Sequence, residues 1–161
     1  KKCPVCKKTL PDEAFEMHKK VRKDGSVFTY PRNRCRECHQ KKGNEAKSSS
    51  PKKYLSNLYT HLQYSRKTRD KKIWEVTREE ILDLWDKQEG RCALTNQLMT
   101  YKKGAGRGDL NVSIDRIDPK GIYTISNIQL VCFRVNIMKH TLDESSLVWW
   151  CKNIVTHNEE S

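Results

Sequence analysis

Val112-Ser113-Ile114-Asp115-Arg116-Ile117-Asp118-Pro119, then Gly121-Ile122-Tyr123 and Ser126-Asn127-Ile128-Gln129-Leu130-Val131-Cys132, is the stretch whose reading decides the fold. Val112, Ile114 and Ile117 suit a pleated surface, and Pro119 stops the strand. Gly121 permits a tight return. Ile128 to Val131 reads as a second short strand, and Phe133 to His140 as a helical segment. Two antiparallel strands followed by a helix can aim Asp115 and Asn136 at one point. Two oxygen ligands from separate elements, with positions open to water and phosphate, are what a loosely held Mg²⁺ needs. Such an ion acts as a Lewis acid on a phosphodiester. The same two residues also read as a turn acid and a solvated helix residue, since Asp and Asn are common in turns.

The segment from Arg91 to His140 resembles the HNH, or His-Me finger, nucleases, whose ββα-metal motif runs strand, loop with a bracing Asn, strand, then a helix carrying Asn or His. The resemblance covers about a third of the chain. It rests on Ser113-Ile114-Asp115-Arg116-Ile117-Asp118 and Asn127-Ile128-Gln129-Leu130-Val131-Cys132, which are similar to phrases in phage and mobile-element members. It implies that Asp115 is the first metal ligand, that Asn127 braces the loop, and that Asn136 is the last, metal-binding member. Arg116 stands where the family has its general-base histidine.

Two departures follow. Many members clamp this finger with zinc through two Cys-x-x-Cys pairs, but here the matching places read Cys92-Ala93-Leu94-Thr95 and Cys132-Phe133-Arg134-Val135. Two thiolates do not complete a tetrahedral site, so Cys92 and Cys132 are expected to be small buried residues. The second departure is the arginine itself, which stays protonated and is ill-suited to take a proton from water. Arg116 therefore stabilises the phosphate or acts as an unusual base. His140, four residues beyond Asn136 and on the same helical face, is a candidate substitute, as are Tyr101 and Tyr123. An exposed helix-end histidine is the plainer reading of His140.

Outside this segment, charge is the strongest signal. Lys and Arg outnumber Asp and Glu by 32 to 20 over 161 residues, a net charge of +12. Such a surplus suits a polyanion, most simply a nucleic-acid backbone, with strong salt dependence. An apolar fraction of 35% favours small modules over one large core. No run of about eighteen apolar residues is present, so no transmembrane helix is expected; no signal-peptide pattern is seen. The location implied is intracellular, in the cytoplasm or nucleoid.

Of seven cysteines, four form the pairs Cys3-Pro4-Val5-Cys6 and Cys35-Arg36-Glu37-Cys38. Two such knuckles close a Cys₄ tetrahedron around structural Zn²⁺, and their presence fits a reducing compartment better than a disulfide framework. A redox role would call for a thioredoxin-like βαβ pattern, which is missing here. Val27-Phe28-Thr29-Tyr30 reads as a strand after an Asp24-Gly25 turn. The many basic residues of this unit, Lys19, Lys20, Arg22, Arg34 and Lys41 among them, can track phosphates from a zinc-held scaffold; a protein-binding ribbon is the other reading.

Residues 44–53, with Asn44, Ser48 to Ser50 and Pro51, read as a linker. From Tyr54 to about Lys71 comes a helix with Leu55, Leu58, Tyr59 and Leu62 on one stripe, followed by a basic run of Arg66, Lys67, Arg69, Lys71 and Lys72. Thr77-Arg78-Glu79-Glu80 is a capping box; Ile81, Leu84 and Trp85 form that helix's buried face, and Gly90 ends it. Lys102 to Asp109 reads as a flexible basic loop. A cap near Asp143 opens a final helix with Leu147, Val148, Trp150, Cys151 and Ile154 as its apolar face. Adjacent Trp149 and Trp150 cannot both face one core.

The expected architecture is α+β: a Cys₄ zinc module over 1–43, a linker over 44–53, and over 54–161 a ββα-metal finger braced by helices. By resemblance the chain is a Mg²⁺-dependent endonuclease hydrolysing phosphodiesters of double-stranded DNA, of homing, restriction or phage type. Asp115, Arg116, Asn127, Asn136 and His140 are its site residues; Asp115 and Asn136 hold Mg²⁺, and Cys3, Cys6, Cys35 and Cys38 hold Zn²⁺. No membrane partner is expected, and a homodimer would let one site serve each strand. The rival expectations are a nuclease-derived DNA-binding protein that has lost catalysis, and a zinc-ribbon adaptor for protein or RNA.

Overall fold

The structure is a computed structural model that describes residues 1–68, 73–103 and 108–159. Arg69, Lys71 and Lys72 of the expected basic run, and Gly104, Gly106 and Arg107 of the expected basic loop, lie outside the described residues. The chain is α+β and divides into two compact units, Lys1–Ala46 and Lys47–Ser161. Each is described by itself.

The first unit is built on a hairpin. A knuckle at Cys3 to Lys8 leads through a single 3₁₀ turn, Asp12–Ala14, into β1 (Phe15–Val21), which pairs antiparallel with β2 (Val27–Cys35). Asp24 accepts from the Ser26 backbone N–H at 2.9 Å and Gly25 takes φ +82°, so the turn between the strands is closed by local bonds. The helix α1 (Arg36–Lys47) starts directly from the end of β2. Cys3, Phe15 and Cys35 are the buried residues here. With so little apolar burial, the four thiols stand where a core would be.

Two features of this unit depart from expectation. The strand expected at Val27 to Tyr30 extends to Cys35 and has a seven-residue partner, β1. The expected linker 44–53 is helical at both ends, because α1 runs through Gly43 to Lys47 and the next helix begins at Pro51. Only Ser48 to Ser50 lie between. Ser50 accepts from the Lys53 N–H at 3.3 Å, and Pro51 fits a first helical turn because its missing N–H would have no partner there.

The second unit packs two helices and a helix-bearing hairpin around one core, and a last helix contacts the helix of the hairpin. In α2 (Pro51–Thr68) the expected stripe is kept: Leu55 is fully buried, and Leu58, Tyr59 and Leu62 pack partly against the core. α3 (Arg78–Lys87) begins at the capping box, whose two reciprocal bonds are Glu80 N–H to Thr77 Oγ1 at 3.2 Å and Thr77 N–H to Glu80 Oε2 at 2.8 Å. Its chain leaves by Gly90, at φ +67°, whose N–H returns to the Trp85 carbonyl at 3.0 Å.

The hairpin consists of β3 (Val112–Arg116) and β4 (Ile128–Cys132), antiparallel with Asp115 opposite Gln129. α4 (Phe133–Lys139) follows without a break, and α5 (Glu144–Glu159) comes last. Both strands are buried almost throughout, so the polar Ser113, Asp115 and Gln129 that interrupt their apolar residues are buried as well. The outer edge of β4 is closed by a side chain. Gln88, just past α3, gives Nε2 to the Leu130 carbonyl at 2.8 Å and takes the Leu130 N–H on Oε1 at 3.0 Å, as a neighbouring strand would.

In α5 the sequence pattern is not used as expected. Leu147 is buried, whereas Val148, Trp149, Trp150 and Ile154 are exposed, the two indoles touching edge to face at 4.7 Å. Among the described residues, no helix is long and apolar enough to cross a membrane.

Candidate functional site

Two sites were expected, and they differ in how completely they are assembled. In the first unit the sulfur atoms of Cys3, Cys6, Cys35 and Cys38 all lie within 4.8 Å of one another. Cys3 and Cys6 come from the knuckle, Cys35 from the end of β2 and Cys38 from the first turn of α1, so the hairpin and helix bring together pairs that are about thirty residues apart. Four convergent thiols are the donor set of a structural zinc site, and the cluster can hold such an ion. The local electrostatics are already uneven. Bonds from the backbone N–H groups of Cys35 and Cys6 lower the Cys3 thiol to about 6, while neighbouring Cys35 and burial push Cys38 up to about 12. A thiolate therefore forms more readily at Cys3 than at Cys38, and a cation that takes all four sulfurs must displace the protons that remain.

The second unit repeats the knuckle without the thiols that would finish it. Cys3 N–H bonds the Lys8 carbonyl and Lys7 N–H the Cys3 carbonyl at 3.0 and 2.9 Å; Cys92 N–H bonds Gln97 and Asn96 N–H bonds Cys92, both at 2.9 Å. Lys7 and Asn96 take the same left-handed turn, at φ 62° and 57°. Cys35 N–H reaches Cys3 Sγ at 3.5 Å and Cys132 N–H reaches Cys92 Sγ at 3.3 Å, each from the last residue of a strand that feeds a helix. Thr95 and Val135 stand where Cys6 and Cys38 stand. Cys92 and Cys132 are both buried in the core, and burial beside Cys92 pushes the Cys132 thiol up to about 11. Its trace in the sequence is the pair of half-knuckles at Cys92 and Cys132; the shared backbone bonds leave none.

The hairpin site is a corner between β3 and α4. Ser113 and Asp115 alternate onto one face of β3, and α4 crosses that face with Asn136 and Lys139, one helical turn apart. Asn136 Nδ2 donates to Ser113 Oγ at 2.7 Å and to the Ile114 carbonyl at 3.4 Å. Lys139 Nζ stands 3.1 Å from Asp115 Oδ2 and donates to the Arg116 carbonyl at 2.7 Å; its side chain is 0% and that of Asp115 7% exposed. Gln129 Nε2 also donates to Asp115 Oδ2, at 3.1 Å, and to Glu144 Oε1 at 2.8 Å. Asp115 and Asn136 are thus neighbours on one face but hold different partners, and among the described residues no hydrogen bond joins them. Asp115 was expected to look toward a divalent cation; an ammonium stands against it.

The other expected residues sort by what they touch. Asn127 ties the loop between the strands: its Oδ1 takes the Asp118 N–H at 2.8 Å, and Nδ2 donates to the carbonyls of Asp118 and Ile122 at 3.1 and 2.9 Å. Arg116 is held by the same loop, with Nη1 on the Gly121 carbonyl at 2.7 Å and its guanidinium 4.9 Å from the centre of the Tyr123 ring. Tyr123 is buried and stacked on Trp74 at 4.8 Å, and Tyr101 packs edge-on to Trp85 at 6.3 Å. Both tyrosines pack their rings against tryptophans.

His140 is different. It ends α4 at φ 46° and lines an open cleft of about 340 Å³ together with Arg66, Ser113, Asn136 and Thr141, over an apolar floor that includes Leu62 and Phe133. Arg66, which the sequence places both in a basic run and at the end of the apolar stripe of α2, lines the cleft. Its spacing from Leu62 was a signal, since i and i+4 share a helical face. Lys139 and Gln129 were missed; only the register, with Gln129 opposite Asp115, exposes them.

As donors, the Asp115 carboxylate and the Asn136 amide oxygen are of the hard kind that Mg²⁺ takes with water. A carboxylate has about four lone-pair directions, so Asp115 retains acceptor capacity beside Gln129 and Lys139. The two residues fit such an ion in kind, with Lys139 as its competitor.

No protein-family model matches the chain, and no match is found among curated proteins or solved structures.

Proposed function

We propose that the chain is a Mg²⁺-dependent DNA endonuclease that hydrolyses phosphodiester bonds, with zinc in the Cys₄ cluster as a structural ion. The observation that carries this reading is the corner of β3 and α4: Asn136, on the cleft wall, is bonded to Ser113 at 2.7 Å, two residues along the strand from Asp115. The succession strand, braced loop, strand and helix supports it, as do the residue types at Asp115, Asn127 and Asn136 and a net charge of +12.

Asp115 and Asn136 would hold the ion, which when bound polarises the scissile phosphate and stabilises the departing 3′ oxygen. The protein's own groups do the rest. Arg66 lines the cleft, so its guanidinium charge lies beside a phosphate bound there, the role the sequence had given to Arg116. Arg116 and Asn127 stiffen the loop that follows Asp115. His140 lines the same cleft, and an imidazole, unlike a guanidinium, exchanges a proton near neutral pH. His140 accepts the proton of the attacking water.

Supercoiled plasmid with Mg²⁺ is the test. Nicking by the wild type, lost with EDTA and in Asp115→Ala, supports the reading; supercoiled DNA left intact in Mg²⁺, Mn²⁺ and Co²⁺ overturns it.

One observation favours a second reading. The Lys139 ammonium already neutralises Asp115 inside the protein, which is what a nuclease-derived binding protein without catalysis would retain. A wild type that shifts DNA without cutting it, with a salt slope of several phosphates, would establish that reading.

A further inference from the structure

The first unit carries a surface that the hydrolytic reading does not use. On the hairpin, His18 lies opposite Tyr30 and Lys20 opposite Phe28, so these four side chains share one face. His18 and Tyr30 stack at 5.7 Å between ring centres with 24° between planes; Phe28 meets Tyr30 at 5.8 Å, and Arg22 lies 4.6 Å from the centre of Phe28. Tyr30 remains 42% exposed. Aromatic rings of a structural core would be covered, whereas these form a contiguous, partly exposed row on one face.

The ring row ends in a recess of about 420 Å³ lined by His18, Tyr30, Arg32, Asn33, Arg34 and His39. Arg34 also lines a second cleft of about 530 Å³, beside the cysteine cluster, with Lys8, Lys41 and Lys42, which outnumber the carboxylates of Glu37 and Glu45 there. Stacking rings thus pass through Arg34 into a row of ammonium groups. Anionic backbone and flat heterocycle are the two chemistries this sequence of groups matches, and one polymer carries both.

We propose that this face binds a single-stranded segment of nucleic acid, with an unpaired base stacked on the Tyr30–His18 pair and the flanking phosphates running past Arg34 to Lys8, Lys41 and Lys42. The strand is single because a base inside a duplex has both faces covered by its neighbours and offers none to a protein ring. An acidic peptide would satisfy the lysines but leave the rings without a partner. The choice of DNA as the probe rests on the proposed hydrolytic reading; the surface itself does not depend on cleavage.

The test uses the full zinc-loaded chain without Mg²⁺, so that nothing is cut, and a fluorescein-labelled oligo-dT of about twelve nucleotides alongside a duplex of equal length. Tyr30→Ala is expected to weaken oligo-dT binding roughly ten-fold with little effect on the duplex, and Tyr30→Phe to restore it. Lys41→Ala with Lys42→Ala should weaken both probes and flatten the salt dependence. Retention of the bound zinc in Tyr30→Ala shows that the unit is folded. Unchanged oligo-dT affinity in folded Tyr30→Ala, or equal losses on the two probes, would overturn the proposal. Plasmid nicking by the wild type in Mg²⁺ bears on the hydrolytic reading alone, so the two can fail separately.

Discussion

Lys139 holds its ammonium 3.1 Å from Asp115 Oδ2 with both side chains sealed from solvent. A charge buried in this way persists because its partner is there; removing one member leaves the other uncompensated. Lys139→Met should therefore destabilise the second unit by about 3–5 kcal/mol, read from urea unfolding followed by tryptophan fluorescence. Adding Asp115→Leu to it should recover much of that loss. A single Lys139→Met variant as stable as the wild type would show that the pair contributes little.

The loop between the strands depends on a missing side chain. A Cβ at Gly121 would stand 2.6 Å from Asn127 Nδ2, inside the brace that joins Asn127 to Asp118 and Ile122. Gly121→Ala is expected to cost about 1–3 kcal/mol, and Asn127→Ala a similar amount, because each breaks the same bonds that hold the loop. The two should be far from additive, since both act on one set of bonds. Additive losses in the double variant would place the two effects elsewhere.

Removing the ion from the cysteine cluster should unfold one unit and spare the other. The first unit buries Cys3, Phe15 and Cys35 and little else, so metal binding supplies its folding energy. Amide exchange in β1 and β2 should become fast after treatment with a strong chelator, and in Cys38→Ser, while β3 and β4 stay protected. Protection of β1 and β2 in the metal-free chain would contradict this.

Asp143 caps α5, accepting from the Ser146 N–H and the Ser145 hydroxyl, both at 2.7 Å, and these bonds lower its carboxyl to about 2. A carboxyl whose folded value lies below its unfolded one stabilises the fold above the unfolded value, near 3.8. That contribution is lost as the pH falls from about 4 toward 2. Helical ellipticity of wild type and Asp143→Ala should therefore differ at pH 6 and converge at pH 2. A difference that persists at pH 2 would assign the effect to something other than the carboxylate.

How far these features could be read in advance depended on whether they were local. The capping box at Thr77 and Glu80 and the leucine stripe of α2 involve residues three and four apart, and both stand as expected. The hairpin and its helix were likewise legible, since Val112 to Arg116 and Ile128 to Cys132 are bounded by Pro119, Gly121 and Asn127. α1 was not: it has no buried residue and contains Gly43, so no apolar period marks it, and it is anchored through Cys38. The exposed indoles of α5 show the converse, an apolar pattern that the core does not use. At the site, residue types were legible and partners were not. Nothing near Asp115 in sequence points to Lys139, 24 residues on, and the guanidinium that lines the cleft comes from α2, far from the hairpin in the chain.

The most direct measurement is Mn²⁺ titration of the zinc-loaded chain in the presence of a short DNA duplex, followed by electron paramagnetic resonance. One bound Mn²⁺ per chain is expected in the wild type, weakened at least ten-fold in Asp115→Ala and in Asn136→Ala and little changed in His140→Ala. Binding that ignores both substitutions, or no bound ion at millimolar Mn²⁺, would contradict a cation held jointly by Asp115 and Asn136.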